Sequence, residues 1–212
     1  MKKSLALIGF LIVCLCFSTA AKADAVTMQL TGITGANQGG YYVGPASGTA
    51  GGTPISMVCI DFSHHVSVGQ TWTATTNSFT DLSGARFAGQ ADSFTKYQQV
   101  AWLFDQFAAN PGATGDLQFA MWSLLAPSSP STAGSLSWIN LARAQNLNNY
   151  NFSNFRVYTP TDPSSASPQE FIARIPGSPV PEPASLMLLG TGLAGVAAMM
   201  RKRDQKKDST NS

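Results

Sequence analysis

The sequence predicts an α+β domain, strand-rich and sandwich- or barrel-like, with a two- to three-helix segment at its centre. Three observations carry this. The stretches from Val26 to Thr75 and from Phe152 to Ile175 break into short runs rich in β-branched and aromatic residues, punctuated by Gly, Asn, Ser and Pro. Between them, from Ser93 to about Leu147, apolar positions recur at three and four. The two extremities, residues 1–23 and 177–212, have the composition of targeting segments and stand outside the fold.

Taken in order, Val26 to Thr31 is the first strand and Gly39 to Val43 the second, while the Gly/Ala/Ser/Thr-rich stretch from Gly44 to Thr53 reads as a loop. Ile55 to Phe62 is the next strand. It is apolar on both faces, with Ile55, Met57 and Cys59 on one side and Val58, Ile60 and Phe62 on the other, so it is expected to be central and buried on both sides. Gly69-Gln70 marks a turn before a strand from Thr71 to Thr75 that carries Trp72. The period then changes. Phe94, Tyr97, Val100, Ala101, Phe104, Phe107 and Ala108 define an amphipathic helix from Ser93 to Ala109, with Asp92 or Ser93 as its cap and Asn110-Pro111-Gly112 as its stop. A second helix runs from about Gly115 to Leu125 with Leu117, Ala120, Met121, Leu124 and Leu125 inward; Gln118 and Trp122, four apart, share a neighbouring face. A third is expected from about Ser135 to Leu147. Strands from Phe152 to Tyr158 and Glu170 to Ile175 close the domain.

At the N-terminus, Met1-Lys2-Lys3 is a positive n-region, Leu5 to Phe17 an apolar h-region and Ala21-Lys22-Ala23 an A-x-A cleavage site, which makes residues 1–23 a secretory signal peptide and 24–176 the exported globular domain. At the other end, residues 177–183 form a proline-rich linker ending in Pro181-Glu182-Pro183. The uncharged run from Ala184 to Met200 follows, about 25 Å long as a helix, the short end of what crosses a bilayer. Residues 201–212 open with Arg201-Lys202-Arg203. Basic residues stay inside, so this tail is cytoplasmic and everything before Pro181 lies outside.

That order of Pro-Glu-Pro, span and Arg cluster resembles the PEP-CTERM sorting signal of Gram-negative bacteria. The resemblance implies an inner-membrane precursor and an exosortase-type membrane protease that reads Pro181, Glu182 and Pro183. It further implies delivery to the envelope, the cell surface or an extracellular biofilm matrix. A plain C-terminal anchor needs the same helix and charges, but leaves the Pro-Glu-Pro placement unexplained.

The net charge of +2 belongs to the ends. Between Asp24 and Pro183 five basic residues face nine acidic ones, a balance of −4, which gives no surface for nucleic acid. Cys14 and Cys16 leave with the signal peptide, so Cys59 is the single exported cysteine and no disulfide can form within the chain.

Two segments stand out together: Val58-Cys59-Ile60-Asp61-Phe62 on a buried strand, and Leu117-Gln118-Phe119-Ala120-Met121-Trp122 at a helix start. The pair resembles the Cys-Gln thioester domain of bacterial surface adhesins, with Cys59 and Gln118 at the bond-forming positions and Ala120 and Trp122 at the flanking ones. The resemblance implies that the thiolate attacks the glutamine carboxamide and expels ammonia. A lysine amine on an amine-bearing surface partner can later open the thioester to form an isopeptide bond; matrix polysaccharide is the other binding partner expected. An apolar shell of Ile60, Phe62, Phe119 and Trp122 would keep water out, and His64 or His65 would assist proton transfer. Adjacent strand residues point to opposite faces, so only one of the two histidines, with His65 the candidate, can share a side with Cys59.

Plainer readings stand beside this one. Cys59 fits a small core hydrophobe, Gln118 a helix-start hydrogen bond and Trp122 plain core. A Cys59/His65 peptidase has no family-specific motif around the cysteine, and His64-His65 lacks the spacing that converges ligands on a metal, so neither metal nor cofactor is expected. A polysaccharide-acting enzyme would need two carboxyls flanking the bond; Asp61, Asp81, Asp92, Asp105 and Asp116 include no pair that a motif singles out. The expectation is an adhesive or matrix-associated protein and not a turnover enzyme.

Overall fold

The computed structural model describes residues 24–164 and 166–175. The signal peptide, the linker with its Pro-Glu-Pro motif, the sorting helix and the basic tail lie outside the described residues.

Six strands close into an antiparallel barrel: β1 (Ala25–Ile33), β4 (Ala46–Ala50), β5 (Thr53–Cys59), β8 (Phe171–Arg174), β7 (Phe155–Pro160) and β6 (Thr71–Ser78), in that spatial order. β1 makes closure possible because its two halves serve different partners: Ala25 to Gln29 pair with β6, while Met28 to Ile33 pair with β4 across an irregularity between Leu30 and Gly32. A small hairpin, β2 (Asn37–Gln38) and β3 (Tyr41–Tyr42), projects between β1 and β4.

Strand alternation sorts the core into two layers. Inward-pointing Met28, Leu30, Ile55, Met57, Trp72, Ala74, Tyr158, Phe171 and Ala173 fill the barrel. The intervening Val58, Phe155, Val157 and Ile172 face outward and pack, together with Ile60, under the helices inserted between β6 and β7. Those are α1 (Ser93–Ala109), α2 (Thr114–Leu125) and α3 (Ala133–Arg143). The strand expected to be buried on both faces is thus the wall between the two cores, and α2 is buried along nearly its whole length.

Five local expectations are corrected. The stretch from Gly44 to Thr53 is not a loop but contains β4, paired along its whole length with β5. Its small residues answer a packing demand: a Cβ on Gly48 would stand 2.5 Å from Met57 Cε and 2.7 Å from Gln29 O, so the barrel has room there for glycine alone. Asp92 does not cap α1 through its side chain; it sits in the left-handed region at φ 56°, and Ser93 Oγ turns back to donate to Ala88 O at 2.9 Å. The third helix begins and ends earlier than expected, from a reciprocal Thr132/Ser135 capping box to Arg143, and Leu147–Asn149 is a separate 3₁₀ turn. β5 ends at Cys59, which leaves Phe62 in the following turn, and β7 begins at Phe155 rather than Phe152.

Candidate functional site

Cys59 is the last residue of β5, paired with Phe171 of β8, and Gln118 lies in the second turn of α2. The fold brings them together. Gln118 Nε2 donates to Cys59 O at 2.6 Å, and Gly44 N–H donates to Gln118 Oε1 at 3.2 Å. The carboxamide is therefore oriented at both ends: a backbone N–H can face only its oxygen, and a backbone carbonyl only its nitrogen. Gly44 is held at φ +91°, and a Cβ there would meet Thr114 Cγ2 at 2.6 Å, so this donor position demands glycine.

A cavity of about 340 Å³ opens at this point, and Cys59, Gln118, Trp122 and His65 all line it. His65 and His64 lie beyond the end of β5, and the turn, not strand alternation, separates them: His65 is exposed at the cavity, while His64 Nδ1 lies 2.7 Å from Asp61 Oδ2, a hydrogen bond when that nitrogen carries its proton. Trp122 is buried in an aromatic group with Phe119 (centroids 5.7 Å), Phe62 (5.3 Å) and Tyr41 (6.1 Å). Of the shell expected around Cys59, Phe62, Phe119 and Trp122 are there, whereas Ile60 points to the helix-covered core.

Burial pushes the Cys59 thiol up to about 12, and the indole N–H of Trp122 partly opposes that shift. The geometry is loose: Trp122 Nε1 is buried without a hydrogen-bond partner of its own, so it stands as a free donor beside the sulfur. The thiol donates to Asp61 O at 3.2 Å.

This arrangement suits acyl chemistry at Gln118 Cδ. Attack by Sγ would place negative charge on Oε1, where the Gly44 N–H already points. The thiol proton would pass to the departing nitrogen, leaving as ammonia, so the raised thiol affinity for its proton is no obstacle to a concerted exchange. The sequence gives no signal for Gly44, because every residue but proline carries the same donor; only the fold aims it.

Around Asp61 and Glu170 lies a buried polar network that sequence reasoning missed. Arg86 Nη1 donates to Asp61 Oδ2 at 2.5 Å, its Nη2 to Ser167 Oγ at 2.8 Å, and its backbone N–H to Glu170 Oε1 at 2.7 Å. Tyr97 and Thr159 hydroxyls donate to the same Glu170 carboxylate at 2.7 and 2.5 Å. Burial raises the Glu170 carboxyl despite those donors, and the buried Tyr97 phenol is raised beside it. Among the other acids, Asp105 pairs with Arg174 at 2.9 Å and Asp116 accepts from Thr132 Oγ1 at 2.5 Å; neither lines the cavity with Cys59. Among the described residues no cluster of His, Cys, Asp and Glu is placed to hold a metal ion.

With this geometry in hand, comparison with known proteins adds two findings. The PEP-CTERM protein-sorting motif matches residues 179–203. It implies an exported protein that is handled at the membrane, with exosortase processing as its general partner kind. Among solved structures, the chain is similar to the N-terminal thioester domain of a surface protein from Clostridium perfringens, at 8% identity and a TM-score of 0.44, over 71% of this chain and 98% of that one. Among curated proteins, none matches the chain.

Proposed function

We propose that this protein is an exported attachment module that forms an internal thioester between Cys59 Sγ and Gln118 Cδ and uses it once to fix itself covalently to a surface or matrix partner. It is a single-use reagent and not a turnover enzyme. The observation that supports this reading is the Gln118 carboxamide, held by Gly44 N–H and Cys59 O beside a thiol in an aromatic-walled cavity. Sorting through Pro181-Glu182-Pro183 delivers the module to the envelope, the cell surface or the matrix of a Gram-negative cell after transient residence in the inner membrane.

Intact-mass measurement of the protein isolated from its export host tests the chemistry. The expected mass is one ammonia below that of the processed sequence, with no titratable thiol until methylamine opens the bond and adds its own mass. A full-mass protein with a reactive thiol overturns the reading and returns Cys59 to the core. Replacing Pro181-Glu182-Pro183 with alanines tests the sorting: the precursor is expected to stay membrane-retained in a strain with the protease, and unchanged processing would reject it.

A further inference from the structure

We propose that the nucleophile which opens the bond is a hydroxyl of a neutral polysaccharide, bound against Tyr41 and Tyr42 and deprotonated by His65. This rests on the thioester reading and names the substrate class of the same site.

The first argument is charge. No Asp, Glu, Lys or Arg lines the cavity. A lysine side chain arrives as an ammonium ion, and must either bury that charge with no carboxylate to pair it or give up its proton before it enters, and both are costs at a cavity without anionic groups. The nearby carboxylate of Asp61 offers no help, because it is fully buried and engaged by Arg86 and His64. A sugar hydroxyl enters uncharged and meets neither cost.

The second argument is shape. Tyr41 and Tyr42 both line the cavity while remaining 39% and 66% exposed, so part of each side chain is open to a ligand there. Aromatic faces suit the C–H face of a sugar ring, and phenol hydroxyls its equatorial oxygens. Tyr41 is fixed for this by edge contacts with Phe62, Phe119 and Trp122. The volume of about 340 Å³ lies at the small end of ligand sites, enough for a terminal sugar ring.

The third argument is the proton. His65 is the one imidazole lining the cavity, and imidazole is the usual general base near neutral pH. The step balances as follows. The hydroxyl oxygen attacks Gln118 Cδ while His65 takes its proton; Oε1 carries the negative charge against Gly44 N–H. The C–S bond then breaks, His65 returns the proton to Cys59 Sγ, and an ester joins Gln118 to the sugar.

Competition between two probes tests this. The exported protein with its thioester intact is incubated with equal concentrations of cellohexaose and Nα-acetyl-lysine amide, and adducts are resolved by intact mass and by cleavage with hydroxylamine, which removes esters and spares amides. The expected product is the ester. Tyr42→Ala should lower the ester yield several-fold, and His65→Gln should lower the ratio of ester to amide by about a hundredfold. An intact thioester that yields chiefly amide overturns the hydroxyl assignment alone, and equal loss of both products in His65→Gln overturns the role given to the imidazole. A starting protein of full mass with a free thiol fails at the earlier step and rejects the thioester reading together with this one.

Discussion

Cys59 and Asp61 are separated by one residue at the end of β5, and their surroundings differ in kind. Asp61 is enclosed by Arg86, His64 and the Ser63 N–H, in a network where Glu170 has three donors of its own. Cys59 faces an uncharged cavity in which the Trp122 N–H has no partner. A satisfied buried charge cluster fixes the turn that follows β5 and clamps it to β8, whereas donors left over beside a thiol and an amide are pre-aimed at charge that appears only during a reaction. The same short segment therefore holds a charged network at Asp61 and, two residues away, the thiol of the proposed thioester, joined by the hydrogen bond from Cys59 Sγ to Asp61 O.

The largest expected effect is on the frame. Asp61→Ala leaves the Arg86 guanidinium without its buried carboxylate, and should cost about 3–5 kcal/mol in denaturant unfolding. A loss below about 1 kcal/mol would mean that the network is not the clamp described here.

Next comes pH. Burial raises the Glu170 carboxyl above its unfolded value, so the folded state holds that proton more tightly. Stability from this group is present below the ordinary glutamate range and is lost as pH rises through the raised value, with a slope of at most about 1.4 kcal/mol per pH unit. Glu170→Gln should flatten that fall in pH-dependent melting; an unchanged profile assigns the dependence elsewhere.

Breaking the chemistry should cost the fold less. Cys59→Ala should lower stability by only about 1–2 kcal/mol while restoring the missing ammonia mass and abolishing methylamine adducts. In Gln118→Ala the thiol stays free but, pushed up to about 12, should react with iodoacetamide at pH 8 at least about tenfold more slowly than in the urea-unfolded chain, and faster as pH rises. Equal rates would show that the cavity does not protect the sulfur. The smallest effect sharpens the comparison: Tyr41→Ala, which strips one ring from the aromatic group, should cost about 0.5–1.5 kcal/mol and shorten the lifetime of the thioester in water.

Much of this was legible beforehand where a periodic pattern met a clear stop. α1 matches its expected bounds because its apolar spacing runs unbroken into Asn110-Pro111-Gly112, and β5 shows its place between two cores in its two apolar faces. β4 escaped notice because Gly48 owes its small size to Met57 on the neighbouring strand, a contact that composition reports as looseness. At the site, Cys59, Gln118 and Trp122 were readable as residue types on a strand and a helix face. Gly44 and the clamp of Arg86 and Glu170 were not, since a backbone donor has no sequence signature and the clamp joins positions far apart in the chain.

The last described strand has a mechanical consequence. β8 is hydrogen-bonded on both flanks, to Met57–Cys59 of β5 and to Phe155–Tyr158 of β7, and the chain runs on from Ile175 toward the sorting motif. Tension pulled along that continuation would not peel an edge strand open bond by bond. It would have to shear two ladders at once, and because one of them ends at Cys59, the first slip under force would also disturb the thiol of the proposed thioester.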